Sequence, residues 1–416
     1  MIFLTIQTIL IISILVFFIV IILLVILLLF AKAKLTVSGP VKIKINGEKE
    51  LEVNAGSSLM TTLAEHHIYL PSACGGSGTC ALCKCQVVSG GGNILPVETL
   101  HFTRKQQLEH WRLSCQVKVR ENIEIIIPKE IFGIKKLECE VISNHNVSTF
   151  IKELILKLPE EEIFTFEPGN YIQVDVPVCE INFSDMIIED KFKNEWNKLN
   201  IWKLKMKNTE PTTRAYSMAN YPAEGNIIKL NIRIATPPWD VKKQSFKKVN
   251  PGICSSYLFS RKPGDKITIS GPYGEFHIQH TQREMVYIGG GAGMAPLRSH
   301  ILHLFLTEKT NRKVSFWYGA RSLQDIFYEE EFRKLEKQFA NFSFNIALSE
   351  PEKEDNWTGY TGFIHQIVFD NYLCKHPEPE EIEYYLCGPP AMNDAVLKML
   401  DSLGVPHENI LFDNFG

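Results

Sequence analysis

Gly289-Gly290-Gly291-Ala292-Gly293-Met294-Ala295-Pro296 stands between an apolar run at 285–288 and a stretch with helical spacing. A strand that passes through glycine into a helix points backbone amides and the positive end of a helix dipole at one place, which suits a phosphate. The run is not the dinucleotide pattern G-x-G-x-x-G, because Pro296 takes the place of the third glycine. A plain tight turn is the bland reading. Beyond this loop, strand-like runs recur at 313–318, 342–348, 383–386 and 410–412, with helical stretches between them. That alternation predicts a doubly wound parallel sheet with helices on both faces, over residues 281–416. Cys387-Gly388-Pro389-Pro390 follows one of these runs, at the carboxyl edge where such sheets bind ligands. Gly291, Gly293, Met294, Pro296, Cys387, Gly388 and Pro389 are therefore candidate ligand-binding residues, although a buried Cys387 would serve equally as packing.

Upstream, over 131–280, the rhythm becomes one of short strands punctuated by Gly and Pro, as at 151–158, 171–176 and 227–234. An antiparallel β-barrel fits this pattern. It contains Arg214-Ala215-Tyr216-Ser217-Met218. A flavin nucleotide needs a cation at its pyrophosphate, an aromatic ring against the isoalloxazine and a small donor near N5. A strand carrying Arg214 and Tyr216 on one side and Ser217 on the other supplies them. Many ordinary strands alternate Arg and Tyr, so the neighbours carry weight. Gly252-Ile253-Cys254-Ser255-Ser256 reads as a helix start whose amides hold phosphate, and Gly271-Pro272-Tyr273-Gly274 as the turn that ends the barrel. The expected FAD contacts are Arg214, Tyr216, Ser217, Met218, Gly252, Cys254, Ser255, Ser256 and Gly274, with Ser217 and Cys387 as candidate catalytic groups. A polar, Lys-, Asn- and Trp-containing insertion at 182–211 falls between the third and fourth expected strands.

Of ten cysteines, Cys74, Cys80, Cys83 and Cys85 lie in or just after one glycine-rich loop, which is not how a disulfide framework is spread. Cys74, Cys80, Cys83 and Cys115 have five, two and thirty-one residues between them. Three close thiolates and one distant one are the ferredoxin way of holding a 2Fe-2S cluster. Structural zinc prefers two C-x-x-C knuckles, and only Cys80 and Cys83 make one. Cys85 is expected in the packing, and Cys139, Cys179 and Cys374, with the Cys254 thiol, are read as structural. Strand-like segments at 41–46, 51–53, 116–119 and 123–127, a hairpin at Asn46-Gly47 and a short helix at 58–64 predict a small β-grasp domain over 34–130.

The first thirty residues carry no charge and are dominated by Ile, Leu, Val and Phe. About 20 helical residues span a bilayer, so residues 1–33 read as a transmembrane helix. A cleaved signal peptide is the alternative; the basic leader is missing and the apolar run is about twice a signal's. Lys32 and Lys34 follow the span, which by the positive-inside rule places the N-terminus outside and the remainder in the cytoplasm. The whole chain has 44 basic and 47 acidic residues, a net charge of −3, so no broad electrostatic footprint for nucleic acid exists. No internal repeat or low-complexity tract is found.

Arg-x-Tyr-Ser, the Gly-x-Gly-x-x-Pro loop and Cys-Gly-Pro-Pro, in this order, resemble the ferredoxin–NADP reductase superfamily over 137–416. More narrowly, the chain resembles the F subunits of bacterial sodium-translocating NADH:quinone reductases. The likeness rests on Cys-Gly-Gly-Ser-Gly-Thr-Cys-Ala-Leu-Cys, Arg-Ala-Tyr-Ser-Met-Ala-Asn-Tyr-Pro, Gly-Gly-Gly-Ala-Gly-Met-Ala-Pro-Leu-Arg-Ser-His, Trp-Tyr-Gly-Ala-Arg-Ser, the run 355–365 and the ending Asp413-Asn414-Phe415-Gly416. The resemblance implies FAD, a 2Fe-2S cluster, NADH as substrate, partner membrane subunits, ubiquinone as acceptor and an inner-membrane location. It also implies Gly319 and Arg321 at the nicotinamide nucleotide, and Phe415 as an aromatic cover of the flavin ring. NADH against NADPH stays open, since Arg321 could meet a 2′-phosphate. Two rival readings are the reductase of a multicomponent oxygenase and an inactive electron carrier. The apolar span and the barrel insertion argue against the first, the intact flavin and nicotinamide motifs against the second.

Overall fold

The computed structural model describes residues 2–35 and 39–413, in two compact units: Met1–Leu70 with Gly76–Phe132, and Pro71–Gly75 with Gly133–Gly416. The first begins with α1 (Ile2–Leu35), apolar on every face, whose Ile11–Leu28 window has a mean hydropathy of 3.8 and buries nothing against the protein. By length and composition this helix can cross a membrane. Its 34 residues amount to roughly 51 Å, more than a hydrocarbon core requires.

Five strands follow: β1 (Pro40–Ile45), β2 (Lys49–Asn54), β3 (Lys84–Ser89), β4 (Trp111–Leu113) and β5 (Ile123–Ile126), in the order β2-β1-β5-β3-β4. Only β1 and β5 run parallel; the other pairs are antiparallel. Asn46 and Gly47 take φ of 53° and 75°, the left-handed conformation that an Asn-Gly hairpin turn needs. Helix α2 (Leu59–Glu65) is capped by Ser58, whose Oγ accepts from Thr61 N at 3.1 Å, and packs Leu59 and Leu63 on Ile43, Ile45 and Ile125. Helices α3 (Pro96–Thr99) and α4 (Arg104–Leu108) precede β4. The strand expected at 116–119 is absent. Val117 and Val119 are buried there in a short bridged stretch, with Lys118 opposite Ser58 and backbone hydrogen bonds from Leu59 N to Val117 O at 2.8 Å, Val119 N to Ser57 O at 3.0 Å and Gly56 N to Val119 O at 2.8 Å, so the alternation reports a pairing too short to make a strand.

The second unit holds β6 (Lys135–Ser148), β7 (Ile151–Lys157), β8 (Tyr171–Val176), β9 (Cys179–Asn182), β10 (Lys205–Asn208), β11 (Thr212–Ser217), β12 (Ile227–Arg233), the two-residue pair β13 (Trp239–Asp240) and β14 (Ser245–Phe246), and β15 (Lys266–Tyr273). Six of them form one antiparallel sheet, β11-β8-β15-β6-β7-β12, whose two edges meet at a Met218–Leu230 bridge. Gly271-Pro272-Tyr273 belongs to the end of β15, where the register to β8 shifts between Ser270 and Tyr273, and not to a turn. The insertion corrects its polar reading. It is a β9–β10 hairpin closing over α5 (Lys193–Lys198), and Phe183, Phe192, Trp196, Ile201 and Met206 join the core of the sheet, leaving the lysines at the surface.

Beyond α6 (Ile253–Phe259) come β16 (Met285–Gly290), α7 (Met294–Leu302), β17 (Val314–Ala320), α8 (Glu329–Gln338), β18 (Phe342–Leu348), β19 (Tyr360–Thr361), α9 (Ile364–Asn371), β20 (Glu383–Cys387), α10 (Pro390–Ser402) and β21 (Ile410–Asp413). The sheet is wholly parallel in the order β19-β18-β17-β16-β20-β21. Strand order reverses between β16 and β20, and the crevice at that reversal is where such sheets take ligands.

Candidate functional site

Within the first unit, Cys83 and Cys115 are buried in a small apolar cluster with Phe102 and Leu113, and Cys80 is half-buried. The Cys83 and Cys115 thiols hydrogen-bond to each other; that bond, and burial after it, push the Cys83 thiol up. Iron displaces such protons, because only thiolates ligate. Gln116 Nε2 lies 3.4 Å from Cys115 Sγ and donates to Gly76 O at 3.0 Å, so an amide stands ready at one sulfur. Gly78 has φ +82°, and a Cβ on it would lie 2.9 Å from that Nε2. Thiols with an amide donor and a glycine turn fit a 2Fe-2S cluster. Among the described residues no three His, Cys, Asp or Glu side chains are yet gathered as metal ligands, and Cys74 lies in the Pro71–Gly75 segment that groups with the second unit. Cys85 points into the β-grasp core, fully buried, and burial pushes its thiol up, so the packing reading of it stands. No motif or spacing pointed to Glu98, buried on Arg112 Nε at 3.0 Å and Nη2 at 2.8 Å, which also accepts from Leu113 N at 2.9 Å. This bidentate pair braces the strand that leads to Cys115.

In the second unit, β11 pairs antiparallel with β8, putting Arg214 opposite Val174 and Tyr216 opposite Ile172. Arg214 and Tyr216 share a face of the strand, and Ser217 takes the other. The Tyr216 hydroxyl hydrogen-bonds to the Cys254 thiol of α6; burial raises Tyr216 well above the usual phenol and takes the Cys254 thiol to about 12. Arg214 Nη1 donates to Thr213 O at 2.8 Å. Gly252 caps α6, while the Ser255 hydroxyl accepts from Ala235 N and donates to Gly252 O, both at 3.2 Å. Ser256 is buried beside it, Met218 lies in the sheet core, and Gly274 follows β15 against Tyr171.

On the parallel sheet, Gly291–Gly293 forms one short turn and Met294 opens α7, with Pro296 in its first turn. A Cβ on Gly293 would stand 2.0 Å from Cys387 O, so this glycine is required for the loop to lie against β20. Cys387 ends β20 at the reversal of strand order, Gly388 follows it, and Pro389 caps α10. Cys387 is fully buried; burial, then the Asp413 carboxylate, raises its thiol. Gly319 lies near the end of β17 against Ile364, and Arg321 Nε is 3.8 Å from Asp325 Oδ2. Phe415 lies outside the described residues.

Two sequence motifs meet here. The Ser217 hydroxyl donates to Asp413 Oδ2 at 2.7 Å, and Asp413 is paired in register with Cys387. The last strand thus carries a carboxylate to the Arg-x-Tyr-Ser strand, at the crevice of the parallel sheet. Asp413 was not among the expected site residues; the signs were its position directly after an apolar run and its place in the Asp413-Asn414-Phe415-Gly416 stretch.

Three family models cover most of the chain: a 2Fe-2S iron–sulfur cluster binding domain over 43–120, an oxidoreductase FAD-binding domain over 199–278 and an oxidoreductase NAD-binding domain over 287–398. In solved structures, an Amycolatopsis cytochrome P450 reductase matches with a TM-score of 0.63 at 21% identity, over 90% of this chain and 98% of its own. A ferredoxin reductase in carbazole 1,9a-dioxygenase matches with 0.58 at 24%, over 91% and 99%. These share the fold. Relatives in sequence are nearer: the F subunit of the Na(+)-translocating NADH-quinone reductase of Pseudomonas aeruginosa (strain UCBPP-PA14) is 54% identical over 93% of both chains. Its counterpart in Methylococcus capsulatus (strain Bath) is 53% identical over 93% of this chain and 94% of its own. With the three modules in one chain and that identity along nearly all of it, the protein belongs to the family of F subunits of Na⁺-translocating NADH-quinone reductases.

Proposed function

We propose that this chain is the NADH-oxidising subunit of a sodium-translocating NADH:quinone reductase, and that it hands single electrons to partner membrane subunits which reduce ubiquinone and move Na⁺. The observation that carries the reading is the 2.7 Å bond from Ser217 to Asp413, which joins the flavin-type strand to the edge of the nicotinamide-type sheet. When bound, FAD takes a hydride's two electrons from NADH and gives them up one at a time, which is what a 2Fe-2S cluster can accept.

The chain's residues divide that work. Arg214 holds the FAD pyrophosphate, with the α6 amides from Gly252 through Cys254, Ser255 and Ser256; Tyr216 lies along the flavin, Met218 offers it backbone while its side chain stays in the sheet core, and Gly274 leaves room beside it. Ser217 meets the reactive edge of the ring, its hydroxyl direction fixed by Asp413. Gly291, Gly293, Met294 and Pro296 receive the NADH pyrophosphate at the opening of α7, Gly319 and Arg321 its adenosine half, and Cys387, Gly388 and Pro389 wall the nicotinamide. Cys74, Cys80, Cys83 and Cys115 hold the two irons. Residues 34–130, 131–280 and 281–416 form the cluster, flavin and nicotinamide domains, and 1–33 anchor them in a bacterial inner membrane. Lys32 and Lys34 keep the three domains in the cytoplasm and leave the N-terminus periplasmic.

The test is a visible spectrum of the full chain in detergent during stepwise NADH addition. Flavin absorbance should bleach first and the iron–sulfur bands after it; a flavin that NADH leaves oxidised would end this reading. Phe415 is assigned to cover the flavin ring and to swing aside for nicotinamide, a motion costing about 1 kcal/mol beyond area. Phe415→Ala should then bind oxidised nicotinamide more tightly and turn over more slowly. Kinetics identical to the parent's would make Phe415 an ordinary chain end.

A further inference from the structure

Three consecutive residues of α7 each direct a side chain at a backbone carbonyl of the antiparallel-sheet region. Arg298 Nη1 donates to Ala219 O at 2.7 Å and Ser299 Oγ to Asn220 O at 2.8 Å; His300 Nε2 meets Phe276 O at 2.9 Å and, facing a carbonyl, is the protonated nitrogen. All three are buried, at 3%, 0% and 0% exposure. Arg298 is held further by both oxygens of Glu331, each at 2.7 Å, and by Glu224 Oε1 at 2.6 Å. A Cβ at Gly169 would fall 1.7 Å from Phe276 O and 2.4 Å from His300 Nε2, so the third contact depends on a residue without a side chain.

What the three grip is informative. Ala219 and Asn220 follow Ser217 by two and three residues, on the same run that carries Arg214 and Tyr216. Helix α7 opens directly from the Gly291–Gly293 turn. The helix is already held to its own sheet by Met294, Leu297, Ile301 and Leu302, and apolar contact of that kind is non-directional. Hydrogen bonds to successive carbonyls fix register as well as proximity. Hydride transfer needs reacting atoms about 3–3.5 Å apart, and an error of about 1 Å costs on the order of 10²-fold in rate.

We propose that Arg298, Ser299 and His300 are positioning residues for hydride transfer, setting the separation of the nicotinamide and flavin rings; this rests on the function proposed above. The experiment uses the full chain with FAD, as Arg298→Lys and Ser299→Ala. Ser299→Ala leaves no buried charge unpaired, so it decides alone if Arg298→Lys does not fold. Stopped-flow mixing with NADH and with 4-deuterated NADH gives the flavin reduction rate, its isotope effect and the charge-transfer absorbance between stacked rings. Calorimetry gives NAD⁺ affinity. Expected are FAD content and NAD⁺ affinity within about twofold of the parent, a weaker charge-transfer band, and reduction slowed about ten- to a hundredfold with an isotope effect at least as large. Reduction rate and charge-transfer band within about twofold of the parent in every folded variant would overturn the proposal. So would slowing matched by an equal loss of NAD⁺ affinity, which marks a merely structural role. A parent flavin that NADH does not reduce would instead defeat the functional reading beneath it.

Discussion

Arg214 and His300 place opposite demands on their surroundings. Arg214 brings a guanidinium to β11, so Arg214→Leu should remove a charge-assisted hydrogen bond to the FAD pyrophosphate, about 1.5–3 kcal/mol. Flavin content after gel filtration should fall about ten- to a hundredfold in affinity terms; unchanged content would exclude Arg214 as the pyrophosphate ligand. His300 is neutral, because burial lowers its pKa to about 3. The folded value lies below the ordinary 6.5 or so, so the unfolded chain binds the extra proton between them. The stability contributed is complete above about pH 6.5 and is lost as pH falls toward 3, by at most about 1.4 kcal/mol per unit. His300→Gln retains a donor for Phe276 O and should flatten the decline in thermal midpoint between about pH 6 and 4. Coincident curves for variant and parent would show that the ring does not titrate on unfolding.

The insertion hairpin is the element whose character the sequence hid most. Trp196 is fully buried, donates Nε1 to Thr149 O at 2.9 Å and stacks on Phe259 with ring centroids 5.9 Å apart. Trp196→Ala should therefore cost about 3–5 kcal/mol and loosen α6, which carries the Gly252–Ser256 run, so thermal midpoint and FAD retention should fall together. Loss of stability with full FAD retention would separate the hairpin from the flavin site. The glycine loop gives the converse case. Gly293→Ala puts a methyl 2.0 Å from Cys387 O, backbone that has no room to give, so flavin reduction by NADH should fail while FAD stays bound. Normal reduction would mean that the loop relaxes at little cost.

At the scale of the molecule, Cys83 and Cys115 sit in a small apolar cluster of the first unit, and the flavin strand belongs to the antiparallel sheet of the second, with a core of its own. Cys80→Ser should accordingly abolish the iron–sulfur absorbance and leave FAD binding and NADH oxidation by ferricyanide largely intact. Loss of FAD from that variant would mean that the two sites fold as one.

Whatever is periodic or local could be read along the chain: α1 from an uninterrupted apolar run, the parallel strands from apolar runs between helical stretches, and the Asn46-Gly47 hairpin from two residues that tolerate positive φ. The 2Fe-2S domain, too, was legible, since cysteine type and interval are properties of the chain. Sidedness was less so: residues 116–119 alternate but pair only briefly with 56–59, and the Lys-rich insertion conceals seven core residues, since pattern reports burial but not the partner that supplies it. Which distant groups meet was left to the folded molecule. Asp413 reaches Ser217 across 196 residues, Glu98 finds Arg112, and Arg298, Ser299 and His300 find three carbonyls in the loops that follow β11 and β15. Such pairings depend on strand order and helix register, which no local spacing encodes.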